Sequence, residues 1–97
     1  MKPIILKLAR DDLKEIHRYL SEYGVHPPQE FRESFEKFCT QVADMPFLHS
    51  VYESNVKYRR AVLAFDHPVF YRVEETSGRV RIYRVLYGKR NISPLLE

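Results

Sequence analysis

Several features are missing from this chain of 97 residues, and each absence excludes a class of protein. It has no tryptophan, three glycines and one cysteine, Cys39, so it contains neither a glycine-rich phosphate loop nor an internal disulfide. No apolar run approaches the roughly 20 residues that span a bilayer. The opening stretch 1–8 is interrupted by Lys7 and is too short for a signal peptide's apolar region. We expect one cytoplasmic domain over residues 1–97.

The basic residues are unevenly distributed along the chain. The net charge is +3, and acids and bases are roughly balanced in the segment 11–44. The segment 57–90, by contrast, contains nine basic residues and three acidic ones. A segment whose charges are mostly positive predicts an anionic partner, either nucleic acid or an acidic polypeptide. Charge alone does not choose between these two.

The first half of the chain predicts a short strand and a helical hairpin. Alternating apolar residues in the stretch 4–8 indicate the strand, and Asp11 and Asp12 are expected to cap the first helix. Gly24 is expected to end the first helix and Pro46 the second. Apolar residues recur at spacings of three or four in two stripes, Leu13, Ile16, Leu20 and Tyr23, then Phe31, Phe35, Phe38, Val42 and Met45. We interpret the phenylalanines as core rather than as a ligand pocket.

The second half predicts three β-strands at residues 60–65, 69–73 and 80–87. Turns are expected at 66–68 and 75–78. The order β-α-α-β-β-β therefore predicts an α+β fold, a small antiparallel-rich sheet with the helical hairpin packed on one face. The other face of the sheet is expected to be free for function.

Side chains typical of metal or nucleophilic sites are sparse. The four histidines, His17, His26, His49 and His67, do not pair at helical spacing with an acid between them, so no metal and no cofactor is expected. We expect these histidines at the surface or in turns. Cys39 lies beside Phe38 in an apolar helix and is interpreted as a packing residue.

The arginines of the strands divide between two faces. Arg59 and Arg60 are adjacent in a strand and must point to opposite faces. On the last strand, the even-numbered residues 80–86 are expected under the helices, with Arg84 as an anomaly that needs a partner. Odd-numbered residues 81–87 are expected on the free face, namely Arg81, Tyr83, Val85 and Tyr87.

Lys89 and Arg90 follow Gly88 at the end of the longest predicted strand. Loop residues at such a position project from a rigid scaffold, and arginine is suited to bidentate contact with phosphate or carboxylate. Tyr83 and Tyr87 add aromatic surfaces of the kind that single-stranded nucleic acid uses.

Four segments together resemble the ParE branch of the ParE/RelE toxin superfamily. They read ARDDLKEIHRY at 9–19, YRR at 58–60, HPVFYRV at 67–73 and IYRVLYGKRN at 82–91. Tyr87 and Asn91 stand where that branch has His and Asp. The resemblance covers nearly the whole chain and implies the same element order. It also implies a growth-inhibiting toxin that is neutralised by an antitoxin.

Two mechanisms are known for this superfamily. RelE-like members cleave messenger RNA on the ribosome without metal, and in that alternative Arg59, Arg60 and Arg90 would be catalytic here. ParE-like members inhibit DNA gyrase instead. The RelE pattern has an arginine at the position of Pro68 and an aromatic residue near Leu96. These departures favour the ParE-like interpretation, because general acid–base chemistry needs a titrating group in reach.

In that interpretation the target-binding residues are Arg81, Tyr83, Tyr87, Lys89 and Arg90. The expected partner is an acidic antitoxin whose disordered segment folds on binding. Its helix would lay apolar side chains on the toxin while its acids meet the basic half. A third possibility is an antitoxin-binding protein that is no longer toxic.

Overall fold

The computed structural model describes residues 1–88 and 91–96, in which two long helices pack on a four-stranded sheet. The elements, in chain order, are β1 (Lys2–Ile5), α1 (Lys7–Ser21), α2 (His26–Asp44), β2 (Arg59–Leu63), β3 (His67–Glu74), β4 (Arg79–Val85) and a C-terminal 3-10 helix (Ser93–Leu96). This confirms the predicted α+β class and the order β-α-α-β-β-β.

The sheet has the strand order β1-β4-β3-β2. The pairs β2–β3 and β3–β4 are antiparallel, whereas β1 runs parallel to β4. The helical hairpin therefore leads the chain away from β1, and the last strand returns to lie beside it. This arrangement puts β4 between β1 and β3, under α1.

Helix α1 begins earlier than the sequence predicts. Its N-cap is Leu6, which makes no side-chain capping bond, so the prediction that Asp11 and Asp12 cap the helix is wrong. The backbone N–H of Leu6 still donates to Ile82 at 3.0 Å, and that of Arg10 already donates to Leu6 at 2.9 Å. The chain thus changes from sheet pairing to helix at one residue, and Asp12 is left free for another contact.

The apolar stripes of α1 and α2 form the main core against the sheet. Ile16 and Leu20 of α1 are buried there, together with Phe31, Phe35, Phe38 and Val42 of α2. The last members of the stripes, Tyr23 and Met45, are exposed because the helices end at Ser21 and Asp44. Neither helix in the described part of the chain is long and apolar enough to cross a membrane.

The β2–β3 turn lies two residues before its predicted place. It comprises residues 64–66, and His67 and Pro68 are buried residues of β3. A proline is tolerated there because it stands at the beginning of the strand, and its carbonyl accepts a hydrogen bond from the Leu86 N–H at 2.9 Å. The turn at residues 75–78 is confirmed.

A β-bulge in β4 changes which residues share a face. Tyr71 pairs with Ile82 but Phe70 pairs with Arg84, so Tyr83 is an extra residue on β4. An extra residue reverses the alternation of side chains beyond it. Val85 is therefore in the helix-side core and Leu86 is on the other face. The predicted faces are wrong for both residues.

The second face of the sheet is partly covered, contrary to the expectation that it is free. A smaller apolar cluster lies there, formed by buried Tyr58, Phe70, Leu86 and Leu96 with partly buried Tyr52, Tyr83, Ile92 and Leu95 packed against them. The C-terminal residues 92–96 thus cover one end of this face. The strand positions outside the cluster remain accessible.

Candidate functional site

The structure separates the predicted target-binding residues. Arg81 and Tyr83 lie on the second face of the sheet, where Arg81 pairs with Glu74 and Tyr83 joins the smaller cluster. Tyr87 follows the end of β4 and lines a cleft with residues of α1. Lys89 and Arg90 fall outside the described residues.

The cleft around Tyr87 continues along α1 and is here called the aromatic groove. One part, of about 380 Å³, is lined by Asp12, Glu15, Ile16, Tyr19, His67, Val85, Leu86 and Tyr87. The adjoining part is lined by Tyr19, Leu20, Tyr23, Pro27, Phe65, His67 and Tyr87. Four rings, those of Tyr19, Tyr23, Phe65 and Tyr87, are each at least 40% exposed. Such a concentration of accessible aromatic surface is typical of a binding site.

His67 forms the inner wall of the aromatic groove. It is buried, and its Nδ1 lies 3.0 Å from the carbonyl oxygen of Ala64. Its ring contacts Phe31 edge-on, with centroids 5.1 Å apart, and Tyr87 at 5.8 Å. The expectation that His67 is a surface or turn residue is wrong, because the turn ends one residue earlier. The histidine ring instead packs against the ring of Tyr87.

Phe65 enters the aromatic groove from a strained turn. Phe65 and Asp66 have φ angles of 60° and 59°, in the left-handed region. A bulky residue rarely adopts this conformation, which costs roughly 1–2 kcal/mol per residue. Strain of this kind tends to be kept where it serves binding or catalysis. Sequence reasoning missed Phe65, because no glycine or asparagine marks the turn.

Gly88 ties the β2–β3 turn to the end of β4. Its N–H donates to the carbonyl oxygen of Asp66 at 2.9 Å, and a Cβ at this position would overlap the Asp66 carboxyl group. A larger residue at position 88 would therefore require the exposed Asp66 side chain to move. The hydrogen bond also ties down the backbone just before Lys89, one of the residues predicted to contact the target.

Arg84 is paired, as its position required. Its Nε and Nη2 donate to the two carboxylate oxygens of Asp12 at 2.8 and 2.9 Å, and its Nη1 donates to the Leu95 carbonyl at 3.0 Å. Hydrogen bonding to Asp12 raises the pKa of Arg84 above its ordinary value. The ion pair joins α1, β4 and the C-terminal segment beside the aromatic groove.

Arg59 and Arg60 point to different sides of β2, as predicted. Arg59 is partly buried and donates to the His49 carbonyl at 2.8 Å, with its guanidinium 4.9 Å from the centre of the Phe47 ring. Arg60 is exposed and lies 6.0 Å from the centre of the Tyr52 ring. The two arginines therefore do not converge on one point.

A comparison with known families adds an independent finding. The family described as "ParE toxin of type II toxin-antitoxin system, parDE" matches residues 4–92, which include all four strands and both long helices at least in part. No curated protein matches the chain at a significant level.

Proposed function

The chain belongs to the ParE toxin family of type II toxin–antitoxin systems, and from this membership we propose that it arrests growth by inhibiting DNA gyrase. A cognate acidic antitoxin, acting in the same cytoplasm, neutralises it.

The observation that carries the choice of target concerns Pro68 and Leu96. A RelE-like nuclease would need an arginine and an aromatic residue at these positions, and both side chains here are buried in apolar surroundings. Arg59 and Arg60 diverge, so they do not hold one phosphate together. Inhibition of gyrase needs neither a general acid nor a scissile phosphate, and it agrees with these features.

The target contact is proposed for Lys89 and Arg90. They follow Gly88, whose backbone is tied to Asp66, and Tyr87, whose ring is supported by His67. A guanidinium next to a rigid strand end can bind carboxylate or phosphate with defined geometry.

The aromatic groove is the proposed docking surface for the antitoxin. Its exposed rings match the apolar face of an amphipathic helix, which binds through residues at helical spacing. Tyr87 in the groove is two residues from Lys89 in the sequence. An antitoxin helix seated there would cover Tyr87, itself a predicted target-binding residue, which would account for neutralisation without a separate inhibitory site.

A supercoiling assay with purified gyrase tests the target. The toxin should inhibit supercoiling and trap a cleavage complex, and Arg90→Ala should lose both effects. Arg32→Ala is a matched control, because Arg32 is exposed on α2 and removes the same charge elsewhere. An inactive wild-type toxin, or cleavage of translated messages in a primer-extension assay, would contradict the proposal. Normal growth on induction without any antitoxin would favour the non-toxic alternative.

A further inference from the structure

The accessible part of the second sheet face carries an excess of cations. Side chains two residues apart on a strand, and side chains directly paired across strands, share a face. By this rule all four strands contribute to one basic surface, here called the arginine face, which consists of Lys2, Arg60, Arg72, Arg79 and Arg81. Among the described strand residues on this face, the one acid is Glu74.

The arginine face contains two pairs of cations, and the two members of each pair lie directly opposite each other on neighbouring strands. Arg72 is the cross-strand partner of Arg81, and Lys2 is the partner of Arg79. Like charges in this relationship destabilise a sheet. Neither pair stabilises the sheet, and an anionic partner bound to this face would offset the repulsion.

Glu74 faces two of these cations, because it is the direct cross-strand partner of Arg79 and forms an ion pair with Arg81. Its carboxylate accepts a hydrogen bond from Arg81 Nε at 2.7 Å, and this bond lowers the pKa of Glu74 below its ordinary value. One carboxylate facing four neighbouring cations leaves a clear positive excess. Arg72 and Arg79 are both exposed and able to reach a ligand in solvent.

The aromatic rings of this face are already occupied. The guanidinium of Arg72 lies 5.9 Å from the centre of the Tyr83 ring, and Tyr83 packs edge-on against Tyr58 at 5.3 Å. Arg60 lies over Tyr52 in the same way. Bases of a single strand need free aromatic surfaces for stacking, so this face favours a duplex, which offers its backbone.

The same geometry argues against an acidic polypeptide as the occupant. A segment that folds on binding needs apolar anchors, and the apolar cluster of this face is closed by Leu96, which is buried. The aromatic groove, on the side of α1, offers four exposed rings as anchors for such a segment. What the arginine face offers is a cluster of guanidinium groups, and these suit phosphate oxygens.

We propose that the arginine face binds the phosphodiester backbone of duplex DNA, through contacts that do not depend on base sequence. The choice of DNA rather than RNA duplex rests on the proposed function, since gyrase acts on DNA. The toxin would then hold its target's substrate as well as the enzyme.

Fluorescence anisotropy with a short labelled DNA duplex, in the absence of gyrase, tests this. Binding should weaken with salt, with a slope in log K against log salt of about −0.9 for each phosphate contacted. The double variant Arg72→Gln/Arg79→Gln should make that slope less steep by about 1.8 and weaken binding at least tenfold. Glu74→Gln should tighten binding, a change of sign that loss of structure would not produce.

The matched control is Arg32→Gln/Lys37→Gln, which removes two exposed charges from α2 and should leave affinity and slope near wild type. Equal losses in both double variants would overturn the proposal, as would no response to Glu74→Gln in a folded protein. Tighter binding of poly-glutamate, of single-stranded DNA or of an RNA duplex would also overturn it. Because gyrase is absent from this assay, it tests DNA binding separately from gyrase inhibition. Either property can be disproved while the other is upheld.

Discussion

Asp12 and Arg84, 72 residues apart in the sequence, form a bidentate ion pair with side chains only 13% and 16% exposed. Asp12 Oδ2, which accepts a hydrogen bond from Arg84 Nε, also accepts one from the N–H of Val85 at 3.0 Å. One acid of α1 therefore fixes both the side chain and the backbone of β4 at the bulge. The pair also joins these two elements, which border the aromatic groove, to the C-terminal segment through the Leu95 carbonyl.

Removing Asp12 should destabilise the fold strongly. Asp12→Ala leaves the Arg84 guanidinium partly buried without its counter-charge, and we expect a loss of about 3 kcal/mol in the free energy of unfolding. Urea denaturation measures it. Asp11→Ala is the control, because the neighbouring Asp11–Lys7 pair is exposed and such pairs contribute less than about 1 kcal/mol. Equal costs for the two variants would show that Arg84 is not dependent on Asp12.

The C-terminal segment should loosen when one hydroxyl is removed. Tyr58 is buried, and its hydroxyl donates to the Leu96 carbonyl at 3.0 Å. Tyr58→Phe leaves that carbonyl unpaired, so we expect about 1 kcal/mol of destabilisation and faster proteolysis after residue 92. Tyr52→Phe is the control, since its hydroxyl makes no hydrogen bond within the described residues. Unchanged proteolysis of the Tyr58→Phe protein would contradict this role.

Replacing Phe65 should stabilise the folded toxin but weaken its binding to the antitoxin. Asparagine tolerates the left-handed conformation far better than phenylalanine, so Phe65→Asn should stabilise the protein by about 1 kcal/mol in thermal unfolding. The same change removes an exposed ring from the aromatic groove and should weaken antitoxin binding at least tenfold, as measured by calorimetry. Val62→Asn is a control, because Val62 is also exposed but lies outside the groove. Destabilisation by Phe65→Asn would show that the turn is not strained.

Stability should fall in mildly acidic solution because of His49. Burial lowers the pKa of this imidazole below its ordinary value of 6.5, and its Nε2 has no hydrogen-bond partner among the described residues. The unfolded chain therefore takes up the proton first as the pH falls through 6.5, which favours unfolding. Between about pH 7.5 and 5.5 the melting temperature should decrease.

The variant that isolates this effect is His49→Phe. Its ring can keep the contacts with Phe38 and Tyr71 but cannot titrate, so the melting temperature should depend less on pH over the same range. An identical pH dependence in the wild type and the variant would assign the effect to another group.

Cys39 should react slowly with alkylating agents. Burial raises the pKa of its thiol to about 11, so that at pH 8 about one thiol in a thousand is ionised. Because the thiolate is the reactive species, alkylation by iodoacetamide in the native protein should be about 100-fold slower than in urea. Mass spectrometry follows the reaction, and equal rates in both conditions would rule out a buried thiol.

Much of the fold could be predicted because its signals are local. Phe31, Phe35 and Phe38 recur at helical spacing, and that period is enough to assign both the helix and its buried face. The turn at 75–78 is marked by its own residues, including Gly78 with a φ of +68°. The β2–β3 turn is not marked in this way, and its prediction was displaced by two residues.

The candidate site was predicted less well, because it depends on contacts between distant residues. Tyr87 was predicted to bind the target together with Arg81 and Tyr83, but it lines the aromatic groove, whereas the other two lie on the second face of the sheet. Phe65 and His67 were not assigned to a site, because their roles follow from the shape of the turn. The target-binding role of Lys89 and Arg90 stays a prediction.

The sequence by itself determined the α+β class, the order of the elements and the toxin family, since periodicity and short motifs are carried by neighbouring residues. The tertiary structure alone decided that β4 lies beside β1, that Tyr83 is an extra residue in its strand, and that Asp12 meets Arg84 instead of capping α1. These features depend on strand register and on contacts across the chain. Such contacts form only when the whole sheet packs against the helices, so no local pattern specifies them.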